Sequence, residues 1–164
     1  MNVILCGMMG CGKTTVASAL EKQGFTAVDT DALIVERFGN IDNIFSSRGE
    51  EYFRDLESDI TAEVAKKYDG AVISVGGGCV LRDKNVKNLK AGGKIFYLRT
   101  KPETIISRLQ GDSSRPLLKG DLSEKVNSIL KNRAKIYESV ADEIVDTDGL
   151  SPQDIAAIIK GKAE

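Results

Sequence analysis

The run Gly7-Met8-Met9-Gly10-Cys11-Gly12-Lys13-Thr14 has the spacing G-x-x-x-x-G-K-[ST]. A loop of this kind cradles phosphates when it joins a strand to a helix N-terminus, because its backbone N–H groups then converge on phosphate oxygens. The glycines permit that convergence, since no Cβ stands between backbone and ligand. In this pattern the lysine, Lys13, reaches the β- and γ-phosphates of a nucleoside triphosphate, and the Thr14 hydroxyl ligates Mg²⁺. An apolar run, Val3-Ile4-Leu5-Cys6, precedes the loop and a helical segment, Thr15 to Lys22, follows it. The flanks therefore favour the phosphate cradle over a chance glycine turn. The fate of the γ-phosphate must be read elsewhere.

Five further constellations carry chemistry. In Asp29-Thr30-Asp31, a strand that continued through all three residues would place both carboxylates on one face. One would hold a hydrated Mg²⁺ and the other would accept a proton from a substrate hydroxyl; the bland alternative is a helix cap. In Phe53-Arg54-x-x-Glu57 the acid is spaced to orient the guanidinium, although a surface ion pair has the same spacing. Gly76-Gly77-Gly78 follows an apolar run and lets a ligand lie against bare backbone. That run ends without an acid, so Ser74 stands where P-loop proteins usually carry a metal-directing aspartate, and Asp29 is the carboxylate able to replace it. Arg115 lies in a segment from Gly111 to Asp121 that lacks periodicity, which predicts a mobile lid. A guanidinium there closes over phosphates and stabilises the transferring group. Arg133, one turn before Tyr137, suits bidentate carboxylate recognition.

Positioning these groups requires an α/β scaffold. Short apolar runs at Val3–Cys6, Thr26–Asp29, Ala71–Val75, Lys94–Leu98 and Glu143–Asp146 predict five parallel strands. Helices are expected at Lys13–Lys22, Ala32–Phe38, Glu50–Lys67, Lys84–Leu89, Pro102–Gln110, Ser123–Val140 and Pro152–Lys160. Ser151-Pro152 is a Ser cap with Pro at the first helical position, and Ser123-Glu-Lys-Val reads as a second cap. The result is a doubly wound sheet covered on both faces, whose ligands bind beyond the carboxyl ends of the strands.

A chain of 164 residues suits one domain, expected to span residues 1–164. A net charge of −1 argues against a nucleic-acid partner, and no apolar run is long enough to span a membrane. The three cysteines Cys6, Cys11 and Cys79 form no C-x-x-C pair, which favours a reducing, cytoplasmic setting. Cys11 is either a small tolerated side chain or a thiol activated by the loop N–H groups. With no histidine, acid–base chemistry falls to carboxylates, lysine or the substrate.

Taken in order and at this spacing, the motifs resemble those of the shikimate kinase family, from Asn2 to about Lys160. The resemblance implies ATP-dependent phosphorylation of the shikimate 3-hydroxyl, with Mg²⁺, in chorismate and aromatic amino-acid biosynthesis. It also implies a nucleoside-monophosphate-kinase type of fold with sheet order 2-3-1-4-5, and commonly a monomer. Lys13, Asp31 and Arg115 become catalytic. Gly10, Cys11, Gly12, Lys13, Thr14, Thr15, Arg108, Arg115 and Pro152 bind ATP, the adenine lying between Arg108 and Pro152. Asp31, Arg54, Gly76, Gly77, Gly78 and Arg133 bind shikimate, within an acceptor region of about residues 31–60 and their partners. Thr14 and Asp29 hold the metal, directly or through water. Glu57 holds Arg54, and Phe45 and Phe53 pack beside the ring. Cys11 departs from the Ser or Ala more usual at its position. Two rivals share parts of this pattern: another small-molecule kinase, acting on gluconate or a nucleotide, and a nucleotide-binding regulator without catalysis. The glycine triplet with the Arg115 segment argues against the first, and the presence of Lys13, Asp31 and Arg115 against the second.

Overall fold

The computed structural model describes residues 1–111 and 121–164. Five parallel strands, β1 (Asn2–Cys6), β2 (Ala27–Asp29), β3 (Val72–Ser74), β4 (Gly93–Arg99) and β5 (Glu143–Asp146), form one sheet in the order β2-β3-β1-β4-β5. Central β1 is buried along its whole length, as expected of a strand covered on both faces. Its side chains alternate: Val3 and Leu5 pack with Val16, Leu20, Ile155 and Ile159, whereas Ile4 and Cys6 pack with Phe53, Ile60, Val64 and Tyr137. The first set comes from α1 (Lys13–Glu21) and α8 (Pro152–Ala163). The second comes from α4 (Glu50–Lys67) and α7 (Leu122–Val140). The remaining helices are α2 (Thr30–Phe38), α3 (Ile41–Arg48), α5 (Asp83–Gly92) and α6 (Pro102–Gln110). Ile4 is fully buried, so Ile4→Ala is expected to cost about 2–5 kcal/mol. Urea unfolding measures this, and a loss below 1 kcal/mol would contradict the packing.

Three expectations need correction. Residues 41–48 form a helix that periodicity did not reveal; its signal was local, since the Asn40 side chain accepts a hydrogen bond from the Asn43 N–H at 3.2 Å. Helix α2 begins at Thr30, so Asp29-Thr30-Asp31 does not continue the strand. Helix α7 is capped by Asp121, which accepts from the Glu124 N–H, and not by Ser123. The Ser151 cap of α8 does form, as a capping box with Asp154. Among the described residues no helix is long and apolar enough to cross a membrane.

Candidate active site

The P-loop follows β1 directly and ends at Gly12, in the left-handed region at φ 100°, before α1. Lys13 Nζ donates to the carbonyls of Gly7 at 2.7 Å and Met8 at 3.2 Å, and lies 3.7 Å from Cys11 Sγ. Its ammonium is thus held inside its own loop. Cys11 is buried against Gly7, which makes it part of the packing of the turn.

A cavity of about 620 Å³ opens over this loop. It is lined by Gly10, Cys11, Gly12, Lys13, Thr14 and Thr15, together with Arg108, Pro152, Asp29, Asp31 and Ser74. Arg108 Nη1 donates to the Gly10 carbonyl at 2.9 Å, bringing the guanidinium to the cradle. Asp29 caps α2, its Oδ1 accepting from the Ala32 N–H at 3.1 Å. The cap reading of Asp29 is therefore correct, and the residue also faces the cavity. Thr14, Asp29 and Ser74 supply oxygen donors beside the cradle, which fits a magnesium-like ion that takes its other ligands from phosphate and water. No cluster of three metal-ligating side chains occurs among the described residues.

A second cavity, of about 920 Å³, lies under α3 and α7. Arg54, Arg133, Gly78, Phe45 and Phe53 line it. Arg54 Nη1 donates to Glu57 Oε1 at 2.9 Å. The Glu57 side chain is 1% exposed, so this is a buried positioning contact and not the surface pair that spacing alone equally allows. Burial raises the Glu57 carboxyl above its ordinary range, Arg54 opposes this, and Asp31 adds to the rise. Glu57 Oε2 has no hydrogen-bond partner among the described residues. The phenol of Tyr137 donates to the Gly77 carbonyl at 2.6 Å, tying α7 to the glycine turn. Burial pushes that phenol up to about 12. Phe45 and Phe53 stack with centroids 4.8 Å apart, at one wall. Met8, Ile41, Asp42 and, on α7, Glu124, Lys125 and Ser128 also line it. No sequence pattern singles these out beyond their neighbours in the chain.

Two members of the glycine triplet, Gly76 and Gly78, are crowded, whereas a Cβ on Gly77 would make ordinary contacts. A Cβ on Gly76 would stand 2.9 Å from both Asp31 Oδ1 and Glu57 Oε2, and one on Gly78 would overlap the Arg54 guanidinium. Gly78→Ala is therefore expected to displace Arg54 and raise the KM for a carboxylate acceptor by roughly tenfold, the effect of one lost charge-assisted hydrogen bond. An unchanged acceptor KM in steady-state assays would contradict this.

Asp31, Met9, Gly76 and Gly77 line both cavities. The two spaces meet there, although Asp31 reaches the junction from the first turn of α2 and not from an extended strand. Arg115 lies outside the described residues.

Sheet order, a P-loop after β1 and paired cavities beyond the strand ends define a P-loop kinase of the nucleoside-monophosphate-kinase type. Within that class the family model for shikimate kinase matches residues 9–163, and the chain belongs to the shikimate kinase family. It is 42% identical over 161 residues to a shikimate kinase of Moorella thermoacetica, covering 97% of this chain and 92% of the relative. It is likewise 42% identical over 158 residues to one of Thermodesulfovibrio yellowstonii, covering 94% and 90%. Among solved structures, the shikimate kinase of Acinetobacter baumannii in complex with shikimate superposes with a TM-score of 0.90 at 34% identity, covering 98% of this chain and 91% of that one.

Proposed function

We propose that this chain transfers the γ-phosphoryl group of ATP to the 3-hydroxyl of shikimate, within the biosynthesis of chorismate and the aromatic amino acids. The observation that carries the reading is the meeting of a phosphate cradle and an arginine-lined cavity at Asp31. Shikimate is a carboxylated polyol. Arg54 and Arg133 offer guanidinium groups to its carboxylate, and the backbone of Gly76, Gly77 and Gly78 offers a surface without side chains. Asp31 accepts hydrogen bonds from the ring hydroxyls and takes the proton of the attacking one. Lys13 leaves its loop carbonyls for the β- and γ-phosphates and stays with the transferring group. Arg108 and Pro152 flank the adenine. Arg115, outside the described residues, joins the set on the resemblance alone. Thr14 and Asp29 hold Mg²⁺, the latter directly or through water. When bound, that ion neutralises charge on the phosphates. Residues 1–164 act as one domain, as a monomer in the cytoplasm.

ADP release from ATP and Mg²⁺, compared with shikimate, gluconate and nucleoside monophosphates as acceptors, tests the reading. Turnover with shikimate alone is expected. Preference for gluconate or a nucleotide would overturn the substrate assignment, and ATP binding without transfer to any acceptor would overturn the activity.

A further inference from the structure

Three segments converge behind the nucleotide cavity through two buried threonines that the site as described does not use. Thr100, at the end of β4, and Thr147, at the end of β5, are 5% and 2% exposed. Their hydroxyl oxygens lie 2.5 Å apart. Thr100 Oγ1 also donates toward the Cys11 carbonyl of the P-loop at 3.4 Å, and Thr147 Oγ1 toward the Arg99 carbonyl at 3.4 Å. Each hydroxyl has one proton, so the pair cannot bond to each other and also donate to both carbonyls. The Arg99 carbonyl already accepts the Thr147 N–H at 3.0 Å. The arrangement that serves every group therefore runs Thr147 Oγ1–H to Thr100 Oγ1, and Thr100 Oγ1–H to the Cys11 carbonyl.

That direction has a consequence for the cradle. A trans peptide holds its C=O and N–H antiparallel. Fixing the Cys11 carbonyl toward Thr100 turns the Gly12 N–H the opposite way, and Gly12 lines the nucleotide cavity. The same pair also connects to the Leu150 and Pro152 lining of that cavity. Thr147 begins the turn to Pro152, its carbonyl accepting the Leu150 N–H at 3.1 Å. The next residue, Asp148, accepts from the Lys101 N–H at 2.8 Å and from the Thr104 hydroxyl, which fastens this turn to the start of α6. Thr104 thereby holds the Asp148 carboxyl below its ordinary range.

We propose that Thr100 and Thr147 are positioning residues for the nucleotide, a hydroxyl pair that aims the Gly12 N–H and couples the phosphate cradle to the Pro152 lining of the cavity. The inference rests on the reading that this cavity holds ATP.

The test titrates a non-hydrolysable ATP analogue into the wild-type chain and into Thr100→Val, Thr147→Val, the double variant and Thr100→Ser, alongside KM values and thermal midpoints. Thr100→Val is expected to weaken analogue binding and raise the ATP KM by roughly tenfold, as for a buried hydrogen bond left half-made. The shikimate KM should stay within about twofold, a split that general loosening of the fold would not give. The double variant should be no worse than the poorer single variant, because one chain of bonds is broken once. Thr100→Ser, which keeps the hydroxyl, should restore affinity whatever the thermal midpoint. Unchanged analogue affinity in Thr100→Val, a parallel rise in both KM values, or additive losses would overturn the proposal. If the wild type binds the analogue but does not phosphorylate shikimate, the acceptor reading fails while the titration still decides the positioning role. Absence of analogue binding by the wild type would overturn both.

Discussion

Lys13→Ala is expected to lower the rate of phosphoryl transfer at least ~10³-fold while leaving the fold intact. The transition state of phosphoryl transfer spreads charge over equatorial oxygens, and catalysis consists mainly of positioning and neutralisation. In the proposed reaction Lys13 brings its ammonium to that charge. In the structure its donors rest on two neutral carbonyls, of Gly7 and Met8. A triphosphate offers charged oxygens to the same ammonium, and charge-assisted hydrogen bonds are roughly twice as strong as neutral ones. The exchange therefore favours the nucleotide and costs little in the loop. The thermal midpoint should move by no more than a few degrees, because the lost bonds lie within one turn and are partly exposed. Single-turnover rates at saturating ATP give the measurement. A variant retaining more than a tenth of wild-type turnover would remove Lys13 from the transferring group.

Asp31→Asn is expected to lower kcat by ~10²–10⁴-fold, the range for loss of a positioned general base, with ATP affinity within about threefold of wild type. The amide has the size of the carboxylate and can still meet a hydroxyl, but it takes no proton. Its position makes a second effect expected. Asp31 Oδ1 and Glu57 Oε2 both crowd the site where Gly76 lacks a side chain, and Asp31 helps to raise the Glu57 carboxyl. Neutralising one member of this pair should raise the thermal midpoint at neutral pH, where Glu57 is otherwise asked to ionise beside a second acid. The sign follows from linkage: a carboxyl raised in the folded state stabilises it at low pH, and that contribution is lost as pH rises through the folded value. The gain should accordingly shrink on acidification. Loss of activity together with gain of stability is the mark of an acid kept for chemistry. An Asp31→Asn variant with full turnover would sink the base assignment, and one less stable than wild type at neutral pH would sink the crowding argument.

Much of the scaffold was legible because β1 and the Ile95–Leu98 stretch of β4 are apolar runs and the P-loop has fixed spacing; the sheet order came with the family resemblance. Boundaries were harder. Asp29 shows why: an acid at the end of a strand and an acid capping a helix look alike when strand and helix abut without a loop. Helix α3 escaped because it is short and buries only Ile44 fully, leaving no periodic stripe to read. In the acceptor cavity, Arg54 and Glu57 could be paired by spacing, but not recognised as buried, since burial depends on α4 lying against the glycine turn. The contacts of Tyr137 with Gly77 and Arg108 with Gly10 join residues 60 and 98 positions apart. Such links follow from the assembled sheet and its helices and not from local pattern.

The two cavities meet over the backbone of Gly76 and Gly77, with Asp31 and Met9 beside it. One ligand can therefore occupy both spaces. An adenosine polyphosphate joined to a carboxylated ring would engage cradle and arginines together, with no bulky glycine-turn side chain to thread past. Its second half would bind at an effective concentration in the millimolar range if the linker matched the span. Such a bisubstrate inhibitor would report the geometry of transfer without itself reacting.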